Sequence, residues 1–122
     1  GELGADLDQI LENFCRLDHV FGAAVFDANG FVIEKYFVDE KETDPLAEVI
    51  LRSLQAGMQI AEDLGKAPLT QQYMEFEEKQ ITAEVVGENF VLVVLAGAGA
   101  NLGRVRLEIR KNRGAVERLL AV

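Results

Sequence analysis

Among its 122 residues the chain has one cysteine, one histidine and two prolines. With Cys15 alone, no intramolecular disulfide can form. One histidine and one cysteine do not supply the clustered ligands of a metal site, so no metal or cofactor is expected. Long apolar runs are also missing. The longest, Phe90 to Ala96, falls far short of the roughly 20 residues that span a bilayer, which argues against direct membrane insertion. The first residues are acidic and polar where a secretory signal would be basic and then apolar. These features predict a soluble, cytoplasmic protein. Positive charge is scarce too: 21 acids against 12 Lys and Arg leave a formal charge of −9. A polyanion would be repelled, so no nucleic-acid partner is expected.

What is present is ordinary for a globular domain, with 49% hydrophobic and 27% charged residues. The length suits a single domain over residues 1–122. Its charge is unevenly placed. Residues 1–100 hold 19 acids and six bases, whereas residues 101–122 hold two acids and six bases. A basic last helix could offset an acidic domain and complement its own dipole, or it could contact a partner.

Asp6 and Gln9 have the spacing of a helix cap and its reciprocal partner, and Leu7, Ile10, Leu11, Phe14 and Leu17 follow at helical spacing. The pattern predicts a helix over about 6–18. Val20 to Phe26 is a short apolar run ending in Asp27-Ala28-Asn29-Gly30, a tight-turn composition, and Phe31 to Phe37 is the returning strand. A long helix is predicted from Thr43 or Asp44 to Leu64, with either residue as cap, Pro45 in the first turn and Gly65 at the end. Three strands follow over about 70–77, 81–86 and 90–96, joined by connections that only antiparallel neighbours can use. The last helix runs from Leu102 to Leu120. The order is α-β-β-α-β-β-β-α, an α/β fold with a five-stranded antiparallel sheet between helical layers. Val20–Phe26 and Phe90–Ala96 are apolar enough to be central strands, and the polar segment Gln71–Glu77 reads as an edge.

The long helix carries more apolar surface than one sheet requires. At 100° per residue, Leu46, Ala47, Ile50, Leu51, Leu54, Met58, Ala61 and Leu64 form one stripe. Val49, Ala56 and Ile60 form a second flank, with Ser53 and Gly57 beside them. Small residues let another helix axis approach, and an identical copy is a natural candidate; packing under a loop of the same chain, or against a terminal helix, is the alternative. Glu48, Arg52, Gln55, Gln59 and Glu62 make a polar face, the proposed contact surface for a partner.

The element order, the hairpin Gly22-Ala23-Ala24-Val25-Phe26-Asp27-Ala28-Asn29-Gly30-Phe31-Val32-Ile33 and the helix entry Ala100-Asn101-Leu102-Gly103-Arg104-Val105-Arg106 together resemble the roadblock/dynein light chain family over almost the whole chain. A stand-alone, acidic version is most similar to the bacterial and archaeal members, including the MglB-type partners of Ras-like small GTPases. The resemblance implies a profilin-like α/β/α sandwich and a dimer, with sheets joined through the third strand and long helices paired. The expected dimer interface is therefore Val49, Ser53, Ala56, Gly57 and Ile60 with Tyr73 and Glu75 of the third strand. The implied function is a homodimeric regulator or scaffold of a Ras-like GTPase. A structural light-chain adaptor of a motor or membrane-associated complex is one alternative, and a ligand-sensing domain with a cavity between helix and sheet is another.

Catalysis finds little support. Gly97-Ala98-Gly99-Ala100-Asn101-Leu102-Gly103 opens a helix, but no second parallel strand follows and no Lys-Ser/Thr pair completes a phosphate loop. Tight chain reversal and close helix–sheet packing explain these glycines. Cys15 reads as a core residue and His19 as a loop residue. Arg52, Arg104, Arg106 and Arg110 are candidates for an arginine acting in a partner's active site, and the resemblance assigns that role to none of them. The chain is expected to be neither an enzyme nor itself a GTPase.

Overall fold

The computed structural model describes residues 2–65 and 67–121, with side chains from residue 6 onward. The first helix, α1, spans Glu2–Phe14, four residues earlier at each end than the periodicity predicts. Asp6 lies inside it and is not its cap. Glu2, Leu3 and Ala5 are good helix formers and carry the helix through Gly4, so it begins before Asp6. Gln9 donates to Asn13 Oδ1 at 3.1 Å, one turn onward, rather than reaching back to a cap. Beyond Phe14 the turn tightens, with Leu17 N–H donating to Phe14 O at 3.1 Å, and His19 takes φ 70° to swing the chain into the sheet.

Strand β1 (Val20–Asp27) and strand β2 (Val32–Phe37) form the first hairpin. Asp27 Oδ1 accepts from Asn29 N–H at 2.8 Å and Phe31 N–H at 3.0 Å. Gly30, at φ 86°, takes the left-handed position. Helix α2 (Ala47–Asp63) starts three or four residues later than predicted. Asp44 does not cap it; its carboxylate accepts from Leu46 N–H at 2.8 Å, a turn built from the side chain. Leu46 then adopts φ 56° and gives its carbonyl to the first helical bond.

Strands β3 (Gln71–Glu75), β4 (Lys79–Val86) and β5 (Phe90–Gly97) complete the sheet, and α3 (Leu102–Leu120) closes the chain. The β3–β4 turn falls at residues 76–78, two residues earlier than the composition indicates, because Phe76 N–H bonds Lys79 O at 2.7 Å. The sheet order is β2-β1-β5-β4-β3, antiparallel throughout. The two apolar strands are central, and the polar β3 is an edge.

Alternation along the strands builds two cores. Ala23, Val25, Leu92, Val94 and Ala96 face α1 and α3, packing with Leu7, Leu11, Phe14, Val105, Ile109 and Val116. Ala24, Phe26, Ile81, Ala83, Val91, Val93 and Leu95 face α2, packing with Ala47, Ile50 and Leu54. The result is an α/β/α sandwich in which one helix alone covers the second face of five strands.

Candidate protein–protein interface

Because α2 works alone, its fit to the sheet decides what it leaves exposed. Ala47, Ile50 and Leu54 are buried, but past Leu54 no α2 residue is. Met58 and Leu64, which periodicity places on the inward stripe, are 41% and 70% exposed. Helical spacing assumes a sheet that buries the whole helix, whereas here β3 and the residue Leu69 before it reach Gly57 but leave Met58 and Leu64 largely in solvent. Val49 and Ile60 of the second flank are 50% and 60% exposed, and Ala56 is exposed as well.

Ser53 and Gly57 are placed differently. Ser53 Oγ donates to Gln72 Oε1 of β3 at 2.7 Å. A β-carbon on Gly57 would come within 2.8 Å of Leu69 Cδ2. Their small size thus lets α2 approach the same chain's β3 and the segment leading into it. Ser53 and Gly57 thus have neighbours within the chain, in β3 and just before it, while Val49, Ala56 and Ile60 are exposed.

Glu48, Arg52, Gln55, Gln59 and Glu62 are all exposed on α2. Glu48 lies beside the first hairpin, its Cγ 3.4 Å from where a Gly30 β-carbon would be. None of these five takes part in an ion pair within 4.0 Å among the described residues.

Tyr73 and Glu75 adjoin this surface along the sheet edge. Phe76 N–H bonds Lys79 O and Val85 N–H bonds Thr70 O, so residues 70, 72, 74 and 76 turn their backbone groups toward β4. By the same alternation Gln71, Tyr73 and Glu75 point theirs outward. An open edge of this kind is a ready template for another strand. Tyr73 Oη donates to Glu75 Oε1 at 2.9 Å, on the sheet face opposite α2. Loss of solvation, and then this bond and charge, raise the Tyr73 pKa.

The glycine-rich loop before α3 packs against β4 and the turn that follows α1. Gln80, a buried side chain not identified from the sequence, donates to Ala98 O at 3.0 Å and Ala100 O at 3.1 Å. The His19 ring lies where a Gly99 β-carbon would be, and Asn101 caps α3 through a 3.1 Å bond from Arg104 N–H. Burial, then the Glu12 carboxylate, push the Cys15 thiol up to about 11. Glu84 is buried, accepts from Gln71 Nε2 at 3.0 Å and pairs with Arg113. Among the described residues no group of three His, Cys, Asp or Glu could hold a metal, and no helix is long and apolar enough to cross a membrane. A groove of about 390 Å³ beside the start of α2 has Phe21, Phe37, Ile81 and Leu95 in its lining, with Lys79 Nζ 4.7 Å above the Phe21 ring.

A single α2 over an edge-terminated antiparallel sheet, backed by α1 and α3, defines the roadblock class of α/β/α sandwich. Residues 6–96 match the Roadblock/LC7 domain model, and the chain belongs to that family. Its fold is similar to that of the gliding protein MglB from Thermus thermophilus, at 24% identity and a TM-score of 0.87, over 98% of this chain and 91% of that one. Myxococcus xanthus MglB is similar at 22% identity and a TM-score of 0.81, over 98% and 87% of the two chains. A Roadblock/LC7 domain from Streptomyces avermitilis is similar at 20% identity and a TM-score of 0.84, over 94% and 98%. Comparison with curated protein sequences found no match.

Proposed function

We propose that the chain is a homodimeric regulator or scaffold of a Ras-like small GTPase, acting through binding alone. The observation that carries this reading is the outer surface of α2. Exposed Val49, Ala56 and Ile60 lie beside the polar row of Glu48, Arg52, Gln55, Gln59 and Glu62, next to the open edge of β3. In the proposed dimer the apolar residues pair two α2 helices, while Tyr73 and Glu75 join two sheets. The polar rows then form one composite face on which the GTPase sits. The resemblance to MglB-type proteins supports the choice of partner class.

Regulation requires that the two nucleotide states of the GTPase bind with different affinity. The test titrates the protein against a Ras-like GTPase loaded with GDP or with a non-hydrolysable GTP analogue. A difference of fivefold or more supports regulation. Equal affinity leaves the light-chain adaptor reading, and absence of binding to either form removes the GTPase.

A further inference from the structure

We infer that α3 and the start of β3 form a docking groove for an acidic, extended polypeptide segment of a partner protein. The groove has a volume of about 480 Å³ and is lined by Thr70, Gln71, Glu84, Arg106, Ile109, Arg110 and Arg113. Three guanidinium groups therefore border one depression in a protein whose net charge is −9.

Their partners decide which of the three is available. Arg113 is engaged twice, by Glu84 and by Glu117 at 3.2 Å. Arg106 donates through Nε to Gln71 Oε1 at 2.8 Å, a neutral acceptor that fixes the side chain without cancelling its charge. Arg110 is exposed, and among the described residues no carboxylate comes within 4.0 Å of either Arg106 or Arg110. Two cations thus border the groove with no carboxylate within 4.0 Å, the one carboxylate in its lining, Glu84, being paired with Arg113. The acids that give the chain its overall sign act weakly here, because screening limits exposed charges to about 8 Å at physiological ionic strength.

Geometry favours an extended ligand. Arg106 and Arg110 are four residues apart on a helix, a rise of about 6 Å. Alternate side chains of an extended strand point the same way about 6.7 Å apart. A segment carrying an acid at every second residue can therefore set one carboxylate against each arginine, with the planar, bidentate geometry that arginine favours. A lipid surface fits less well. The apolar stripe of α3, including Val105, Ile109 and Val116, is committed to the core, leaving only Leu107 as a large apolar residue exposed on this helix. Nucleic acid fits less well because the rest of the molecule would repel a long polyanion.

The groove borders the β3 edge at Gln71 but contains no α2 residue, so its failure as a site would leave the reading of α2 untouched. The test is fluorescence anisotropy with a labelled dodecapeptide of alternating Glu and Ser, at 50 and 150 mM salt. Binding that weakens with salt and falls at least tenfold in the Arg106→Glu/Arg110→Glu double variant is expected. Arg104→Glu/Lys111→Glu changes the same helix by the same charge outside the groove and is expected to weaken binding less than threefold. If the groove variant loses its fold by circular dichroism, Arg110→Ala takes its place, with at least a threefold loss expected. Equal losses in the groove and control variants, no binding at 1 mM protein, or tighter binding to phosphatidylserine vesicles or duplex DNA than to the peptide would each overturn the proposal.

Discussion

A methyl group added at Gly22 and the same group added at Gly114 meet different surroundings. Gly22 sits in β1 opposite Phe37, and a β-carbon there would overlap the Phe37 ring. That ring packs against the core under α2, so it cannot simply swing into solvent. Gly22→Ala is expected to destabilise by about 1–3 kcal/mol, the usual range for overpacking. Gly114 lies within α3, where a β-carbon would meet only the flexible end of Arg118, at 3.3 Å. Gly114→Ala is expected to stabilise by about 0.5–1 kcal/mol through helix propensity. Urea unfolding of both variants measures the two signs. Only the second was readable from sequence, because a helix interior shows in periodicity while a cross-strand aromatic overlap needs register. Cys15 also illustrates the residue scale. Its raised pKa lowers the thiolate fraction in the fold, so alkylation is expected to be slower than for an unperturbed cysteine. The linked stability is fully present below the unfolded pKa near 9 and is lost as pH rises from there through about 11. Iodoacetamide labelling across that window checks the first expectation, and pH-dependent unfolding checks the second.

Among elements, α2 shows where periodicity informs and where it misleads. The sequence contained the helix, its two apolar flanks and its polar row, because each follows from residue order on a 3.6-residue spiral. It did not contain the end of the sheet beneath the helix, which depends on a strand five residues long arriving from later in the chain. Hence Met58 and Leu64 are exposed, and Ser53 and Gly57 are taken up by Gln72 and Leu69. This reassignment changes which substitution tests helix pairing. Gly57→Arg would collide with Leu69 and report on folding as much as on association. Ile60→Glu is the cleaner probe, since a residue 60% exposed tolerates charge in the monomer. It is expected to lower the molar mass by light scattering at tens of micromolar from dimer to monomer, with unchanged circular dichroism. Arg52→Glu, on the polar row, is expected to leave the mass alone and shift stability by no more than about 0.5 kcal/mol. It should weaken GTPase binding by about 1–3 kcal/mol, the scale of a charged interface contact, in the same titration that compares nucleotide states.

For the whole molecule, the decisive question is whether two five-stranded sheets become one of ten. The edge strand and its polarity were legible before the structure, but the outward parity of Gln71, Tyr73 and Glu75 was not. It required the bonds from Phe76 to Lys79 and from Val85 to Thr70. That parity allows association and folding to be separated by proline, which removes one backbone donor. At Tyr73 the lost N–H points away from β4, so the intrachain ladder keeps all its bonds, and an edge strand accepts proline at such a position. At Met74 the lost N–H belongs to the β3–β4 ladder, opposite Ile81. Tyr73→Pro is therefore expected to give a monomer at tens of micromolar that retains native circular dichroism. Met74→Pro is expected to lower the stability of the protomer itself, by about 1–3 kcal/mol, because it removes a ladder donor and leaves its acceptor unpaired. Because dimerisation adds stability by mass action, urea midpoints must be compared at a dilution where the wild type is also monomeric. Under that condition Tyr73→Pro should unfold close to the wild type and Met74→Pro well before it. A Tyr73→Pro protein that still scatters as a dimer would move the interface off the β3 edge and leave α2 to hold the two copies alone.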